Sequence, residues 1–170
     1  IKYDPEKYVC IKTTEKLNLD GKINEKAWES AAWTNSFVDI EGDLKPKPYH
    51  DTKVKMLWDE NYFYFGALME EPHVWGKLTE RDAVIYKDND FEIFLDPDGD
   101  THNYYELEVN ALGTEWDLIL LKPYHDEDKV VIDSWDIPGL ITKVHVDGTL
   151  NDPSDKDRAW SVEIAIPWKA

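Results

Sequence analysis

Cysteine is almost absent: Cys10 stands alone among 170 residues, so neither an internal disulfide nor a zinc site of CxxC or Cys/His spacing is available. Positive charge is scarce too. Nineteen Lys and Arg stand against 36 Asp and Glu, a formal net charge of −17, which repels phosphate backbones and anionic headgroups. Nucleic acid and membrane surfaces are therefore poor partners, and neutral polyols, cations and basic proteins remain. No run of 18 apolar residues offers a membrane span, and no charged, apolar and small-residue leader is present. A secreted, periplasmic or cell-surface protein is expected, its leader lying outside this sequence. Internal repeats, low-complexity tracts and linkers are lacking as well, so residues 1–170 read as a single domain.

Aromatics, by contrast, are plentiful, with eight Trp and nine Tyr, more than a core of this size requires, so some are expected to face solvent. The dominant period is two. "KVKMLW" (53–58) alternates Val54, Met56 and Trp58 with lysines, and "YFYFGALM" (62–69) is apolar on both sides, as in a strand covered on both faces. Further strands are expected at 91–95, 104–110, 115–121, 140–146 and 160–166, separated by "DPDGD", "ALGT" and "NDPSDKD" turns. That spacing predicts an all-β, two-sheet antiparallel sandwich of jelly-roll or immunoglobulin-like type. Only "NEKAWESA" (24–31) reads as a helix, short and N-terminal, with Asn24 as its cap. Trp28, Trp58, Trp160 and Trp168 are expected in the core.

"KDNDFEIFLDPDGD" (87–100) holds six acidic side chains in fourteen positions. Strand alternation sends Phe91, Ile93 and Leu95 to one face and Asp90, Glu92 and Phe94 to the other. Matching the apolar faces of 91–95 and 104–110 sets Leu95 opposite Tyr105 and Glu92 opposite Glu108. If Trp116, Leu118 and Leu120 are the core face of the next strand, Asp117 falls opposite Glu108, giving a row Glu92, Glu108, Asp117. A second row holds Asp90, Asn110 and Glu115. Like charges opposed across a sheet, about 5 Å apart at Cβ, cost stability. A cation, a neighbouring Lys53, Lys55 or Arg81, or a hydroxyl-rich ligand donating to carboxylates would offset that cost.

Two carboxyls at that separation also fit a retaining glycoside hydrolase built on Glu92 and Glu108, although the two groups lie across one hairpin instead of flanking a sugar. In the turn, Asp96, Asp98 and Asp100 offer oxygens to calcium, but without the bidentate Glu of an EF-hand, and Asp-Gly is also ordinary turn chemistry.

In order and spacing, "LDGKINEKAWESA" (19–31), "VKMLWDENYFYFGALMEEP" (54–72), "DNDFEIFLDPDGD" (88–100) and "WSVEIAIPWKA" (160–170) resemble family 9 carbohydrate-binding modules. The resemblance implies a non-catalytic module that holds sugars between aromatic rings, often with structural calcium, attached to xylan- or cellulose-degrading enzymes. It implies that Tyr86 is the stacking ring and Glu92 the sugar-contacting acid, with Asp88 between them. Trp75 is a second exposed aromatic, and Asn110 and Asp117 complete the expected polar face. Where sugar-binding members carry an Arg opposite the key acid, this chain has Glu108, and Arg81 is the available replacement donor. The sequence stops at "PWKA", ahead of the family's second clamp aromatic, so the resemblance implies either a continuation or a one-ring site. It also implies sheet edges through which copies could pair. Relatives of the same fold bind haem through Met with His or Lys, for which Met56, Met69, His73 and His102 are the candidates here.

Overall fold

Strands form where the alternation is strongest. The computed structural model describes residues 5–126 and 130–170. Within them run β1 (Ile11–Lys12), β2 (Thr52–Trp58), β3 (Tyr62–Glu70), β4 (Asp90–Leu95) and β5 (Tyr104–Asn110), then β6 (Glu115–Leu120), β7 (Val131–Ile132), β8 (Ile141–Asp147) and β9 (Ala159–Pro167). They build two sheets, ordered β1-β2-β3-β9-β8 and β4-β5-β6-β7. All pairings are antiparallel except β1 with β2. The expected two-sheet sandwich is present; β1 and β7 were missed because two residues carry no periodic signal. Among the described residues no helix is long and apolar enough to cross a membrane.

The inter-sheet core collects Val54, Phe65, Ala67 and Met69 from the larger sheet, Phe91, Ile93, Leu107 and Val109 from the smaller, and Val162 and Ile164 from β9. The apolar double face of β3 is explained by a second cluster on the outside of the larger sheet, where Trp28, Leu57, Tyr64 and Ala165 pack together. Gly66 is needed there. A Cβ on it would stand 3.1 Å from Ile23 Cγ2 and 3.3 Å from Trp28 Cζ2.

The expected helix at 24–31 is instead one 3-10 turn, Lys26–Ser30. Its N-cap is Glu25, in extended conformation and with no side-chain cap, so Asn24 does not serve. Burial of Trp28, whose indole N–H donates to Glu163 Oε1 at 2.7 Å, holds this segment in place of a helical ladder. Of the tryptophans expected inside, Trp28 and Trp160 are buried and Trp58 is half-buried, with Lys12 Nζ 5.1 Å above its ring. Trp168 departs from the expectation: it is 53% exposed and stacks on Phe63 at 5.6 Å.

Register on β4 and β5 is as expected, with Asp90 opposite Asn110, Glu92 opposite Glu108 and Leu95 opposite Tyr105. On β6 it differs by one residue: Trp116, not Asp117, pairs with Glu108, and Asp117 pairs with Leu107. Trp116, Leu118 and Leu120 therefore share the outer face with Glu106 and Glu108, and Asp117 points toward the other sheet. Leu118 and Leu120 are nonetheless buried, as are Glu106, Glu108 and Asn110. The outer face of the smaller sheet is itself covered, so apolarity there no longer marks the inter-sheet side.

Candidate functional site

The outer face of the smaller sheet is roofed by the loop between β3 and β4. Its anchor is Asp88, buried, whose Oδ2 accepts N–H bonds from Lys77 at 2.7 Å, Leu78 at 2.9 Å and Asn110 Nδ2 at 2.9 Å. Asn110 spends the rest of its side chain on the backbone, donating to Leu78 O and accepting from Leu112 N and Thr114 N. Burial opposes ionisation of Asp88, but those donors outweigh it and hold its pKa below the usual value. Asp88 and Asn110, expected on the sugar face, thus point at each other and at the loop, and their work is to fix it.

The loop ends in a 3-10 turn, Ile85–Lys87. Ile85 is fully buried, while Tyr86 is 60% exposed and its backbone N–H donates to Glu108 Oε2 at 2.9 Å. The Tyr86 ring lies 6.2 Å from that of Trp116, tilted by 37°. Below them runs the row Glu92, Glu108, Trp116. Farther along the same face Phe94 and Tyr104 form a second aromatic pair, 6.4 Å apart, and Tyr124 donates its hydroxyl to Glu106.

Carboxylate oxygens of Asp90, Glu92 and Glu108 lie within 4.8 Å of one another. Burial first, and then repulsion from Glu92, Asp90 and Glu106, pushes Glu108 up to about 8. Burial, followed by Glu92, lifts Asp90 to about 7, and burial raises Glu92. Two atoms here are buried without a partner: Asp90 Oδ2 and the Trp116 indole nitrogen. An exposed ring, a tilted indole and adjacent carboxyls suit a pyranose, which offers a C–H face to aromatics and hydroxyls to polar groups.

The sequence model of the carbohydrate family 9 binding domain-like family matches residues 19–170. The chain belongs to that family. Family 9 domains are binding modules without catalytic activity, so the Glu92/Glu108 pair is not a hydrolase dyad. Over 88 residues, 52% of this chain, it is 31% identical to endo-1,4-beta-xylanase C of Paenibacillus barcinonensis, and the match spans only 7% of that protein. Its fold is similar to that of a family 9 carbohydrate binding module from Caldicellulosiruptor kristjanssonii in complex with cellotriose, with a TM-score of 0.60 and 19% identity, covering 96% of this chain and 69% of that one. The glucose complex of a family 9 module from the same organism gives the same TM-score and identity, covering 96% and 70%.

The remaining expected site residues of the family 9 domain are dispersed. Trp75 lies under Lys77 Nζ, 5.4 Å from its ring centre, and lines a separate cavity of about 400 Å³ with His73 and Asn151. Arg81 meets Glu115 and Asp117 and donates to Asp136 at 2.8 Å. It serves the inner face of β6, not the Glu92/Glu108 row. Because Asp117 is buried, Arg81→Ala should lower unfolding free energy by about 2 kcal/mol; a fully buried pair would lose more, but Arg81 is itself 40% exposed. Urea denaturation measures this, and saccharide affinity should stay unchanged. Met69 is buried and Met56 packs on the core, whereas His73 and His102 lie on exposed segments, so no Met/His axial pair is assembled from them.

Asp96, Asp98 and Asp100 do cluster, with oxygens within 4.8 Å. They also close their own turn: Asp96 accepts from Gly99 N and Thr101 N, Asp98 from Asp100 N, and Asp100 from His102 N. Trp116 is the residue of this face that the sequence reading misplaced. The four-residue connection 111–114 between β5 and β6 was the available signal, since its length sets which face Trp116 takes.

Proposed function

We propose that this family 9 domain binds sugar units of a plant-type or other polysaccharide on the outer face of its smaller sheet, as the targeting module of a glycoside-hydrolase system. The observation that carries the reading is the exposed Tyr86 ring beside Trp116, above the Glu92/Glu108 row. Tyr86 and Trp116 supply the stacking surface; Glu92, exposed at the row's end, accepts from hydroxyls. The xylanase relative supports the association with polysaccharide degradation, and through it a secreted or cell-surface setting.

Calorimetry with cello-, xylo- and chito-oligosaccharides tests this. Tyr86→Ala should weaken binding about tenfold, the loss of one stacking contact of roughly 1.4 kcal/mol. If no saccharide binds at millimolar concentration, or Tyr86→Ala changes nothing, the reading falls. Under the same proposal, calcium belongs at Asp96, Asp98 and Asp100, which give three of the roughly six to eight oxygens it takes. Such a site is weak, and the expected result is a Tm rise only at millimolar calcium that Asp98→Asn removes. The edge strands β4 and β8 are where copies would pair; light scattering across a concentration series reads that out.

A further inference from the structure

The acid cluster beneath Tyr86 has no counter-charge in the protein. Among the described residues, none of Asp90, Glu92 and Glu108 makes an ion pair with Lys, Arg or His. Glu108 is only 1% exposed, and its Oε2 accepts from Tyr86 N at 2.9 Å. Asp90 Oδ2 is buried without a partner, and so is the indole N–H of Trp116, in the next position along the row from Glu108. A buried polar atom with no partner costs about 1–3 kcal/mol. Two of them beside one exposed aromatic ring mark a place completed by something else.

The geometry specifies the charge of that partner. A triangle of oxygens with sides up to 4.8 Å has its centre within about 2.8 Å of each corner, the length of a charge-assisted N–H···O bond. An ammonium has three such donors. Beside the triangle, Asp90 also lines a cavity of about 390 Å³ with Glu70, Glu71, Asp88 and His50, and its acidic walls reinforce the preference for a cation. A bare metal ion answers the carboxylates but leaves the exposed Tyr86 ring and the Trp116 N–H unmatched. It would also find three ligands where calcium takes about six to eight oxygens. A neutral sugar matches the aromatics but brings no charge.

We infer that the site selects a sugar bearing a free amine, a hexosamine unit whose ammonium sits among Asp90, Glu92 and Glu108 while its ring packs on Tyr86 and a ring oxygen or hydroxyl accepts from Trp116. This rests on the reading that the outer face binds saccharide and names the class of saccharide. The charged groups facing Glu108 are Asp90 and Glu92 from β4 and Glu106 from its own strand, the last already engaged by Tyr124. All are acidic. Because Glu108 and Asp90 hold protons near neutrality, an entering ammonium displaces them and binding releases protons to the buffer.

The test is calorimetry at pH 7 with three trisaccharides: β-1,4-linked glucosamine, its N-acetylated form, and cellotriose, each in two buffers of different ionisation enthalpy. The expected result is glucosamine trisaccharide bound at least tenfold tighter than the other two, with proton release and with affinity falling as salt is raised. Glu92→Gln, at an exposed position that does not endanger folding, should remove most of that preference. Cellotriose bound as tightly as the amine, with no proton release, overturns the inference and leaves the saccharide reading standing. No binding of any of the three overturns both. Tight binding of calcium chloride alone, lost in Glu92→Gln, also overturns it, because the triangle is then a metal site.

Discussion

Replacing Glu108 by Gln should make the protein more stable at pH 9, by on the order of 3 kcal/mol, and flatten its stability between pH 5 and pH 9. Glu108 is buried, opposite Glu92 and close to Asp90 and Glu106, and its pKa is driven from 4.5 to about 8 by burial first and those carboxylates second. The folded pKa lies above the unfolded one. Between the two values the native state keeps a proton that the unfolded chain has released. The stabilising contribution is therefore fully present below about 4.5, and it is lost as pH rises through about 8. Asp90, moved from 3.8 to about 7, adds a fall of the same sign. The Gln side chain keeps an oxygen for Tyr86 N–H, removes the buried charge and offers its amide protons to Glu92. Urea midpoints at pH 5, 7 and 9 check this: the parent should lose stability across the series and Glu108→Gln much less. Equal slopes would mean that Glu108 is ionised and solvated in the native state.

The same residue marks the limit of what the sequence conveys. The pairing of β4 with β5 was legible because Phe91, Ile93 and Leu95 must meet Tyr105, Leu107 and Val109 on a single face, and a slip of one residue would invert a strand. One strand later the rule misleads. Trp116, Leu118 and Leu120 are apolar yet lie on the outer face, where Leu118 and Leu120 are buried just as residues of the inter-sheet core are. Asp117 consequently sits toward the other sheet, where Arg81, 36 residues away in sequence, neutralises it. A contact at that separation leaves no local signature. Family spacing singles out Tyr86 and Glu92, and the structure sets both beside Glu108, Tyr86 through its backbone N–H and Glu92 as its partner across the strands. That Asp88 and Asn110 hold the loop is visible only in the loop folded across β5, although an Asn followed by Ala-Leu-Gly-Thr is a usual setting for a side chain that caps its own turn. The 3-10 turn at Lys26–Ser30 has the same lesson at smaller scale: Trp28 is buried as expected, and burial does not require a helix.

A second large effect belongs to Glu163, an acidic residue in the middle of β9 that alternation alone would leave unremarked. Its side chain is fully buried on the outside of the larger sheet. Oε2 accepts from Asp20 N at 2.9 Å and Gly21 N at 2.8 Å, and Oε1 accepts from Trp28 Nε1 at 2.7 Å. These bonds tie the N-terminal segment to the sheet. Gly21 has φ +90°, and a Cβ there would stand 2.5 Å from the Val144 carbonyl carbon, so the backbone lies flush on β8 and cannot move to find other acceptors. Glu163→Ala leaves three donors without a partner at about 1–3 kcal/mol each, and we expect a loss of about 4 kcal/mol. That is a large share of the roughly 5–15 kcal/mol typical of a domain, and it corresponds to a Tm fall of roughly 10 °C for a chain of this size. Glu163→Gln should lose about half as much, because one amide oxygen still serves both backbone N–H groups while the amide nitrogen opposes the Trp28 donor. Because Glu163 lies in the other sheet from Tyr86 and Glu92, saccharide affinity of the folded fraction should be unchanged in both variants. Calorimetric melting separates the two effects, and a Glu163→Ala protein that melts with the parent would show that water replaces the carboxylate at no cost.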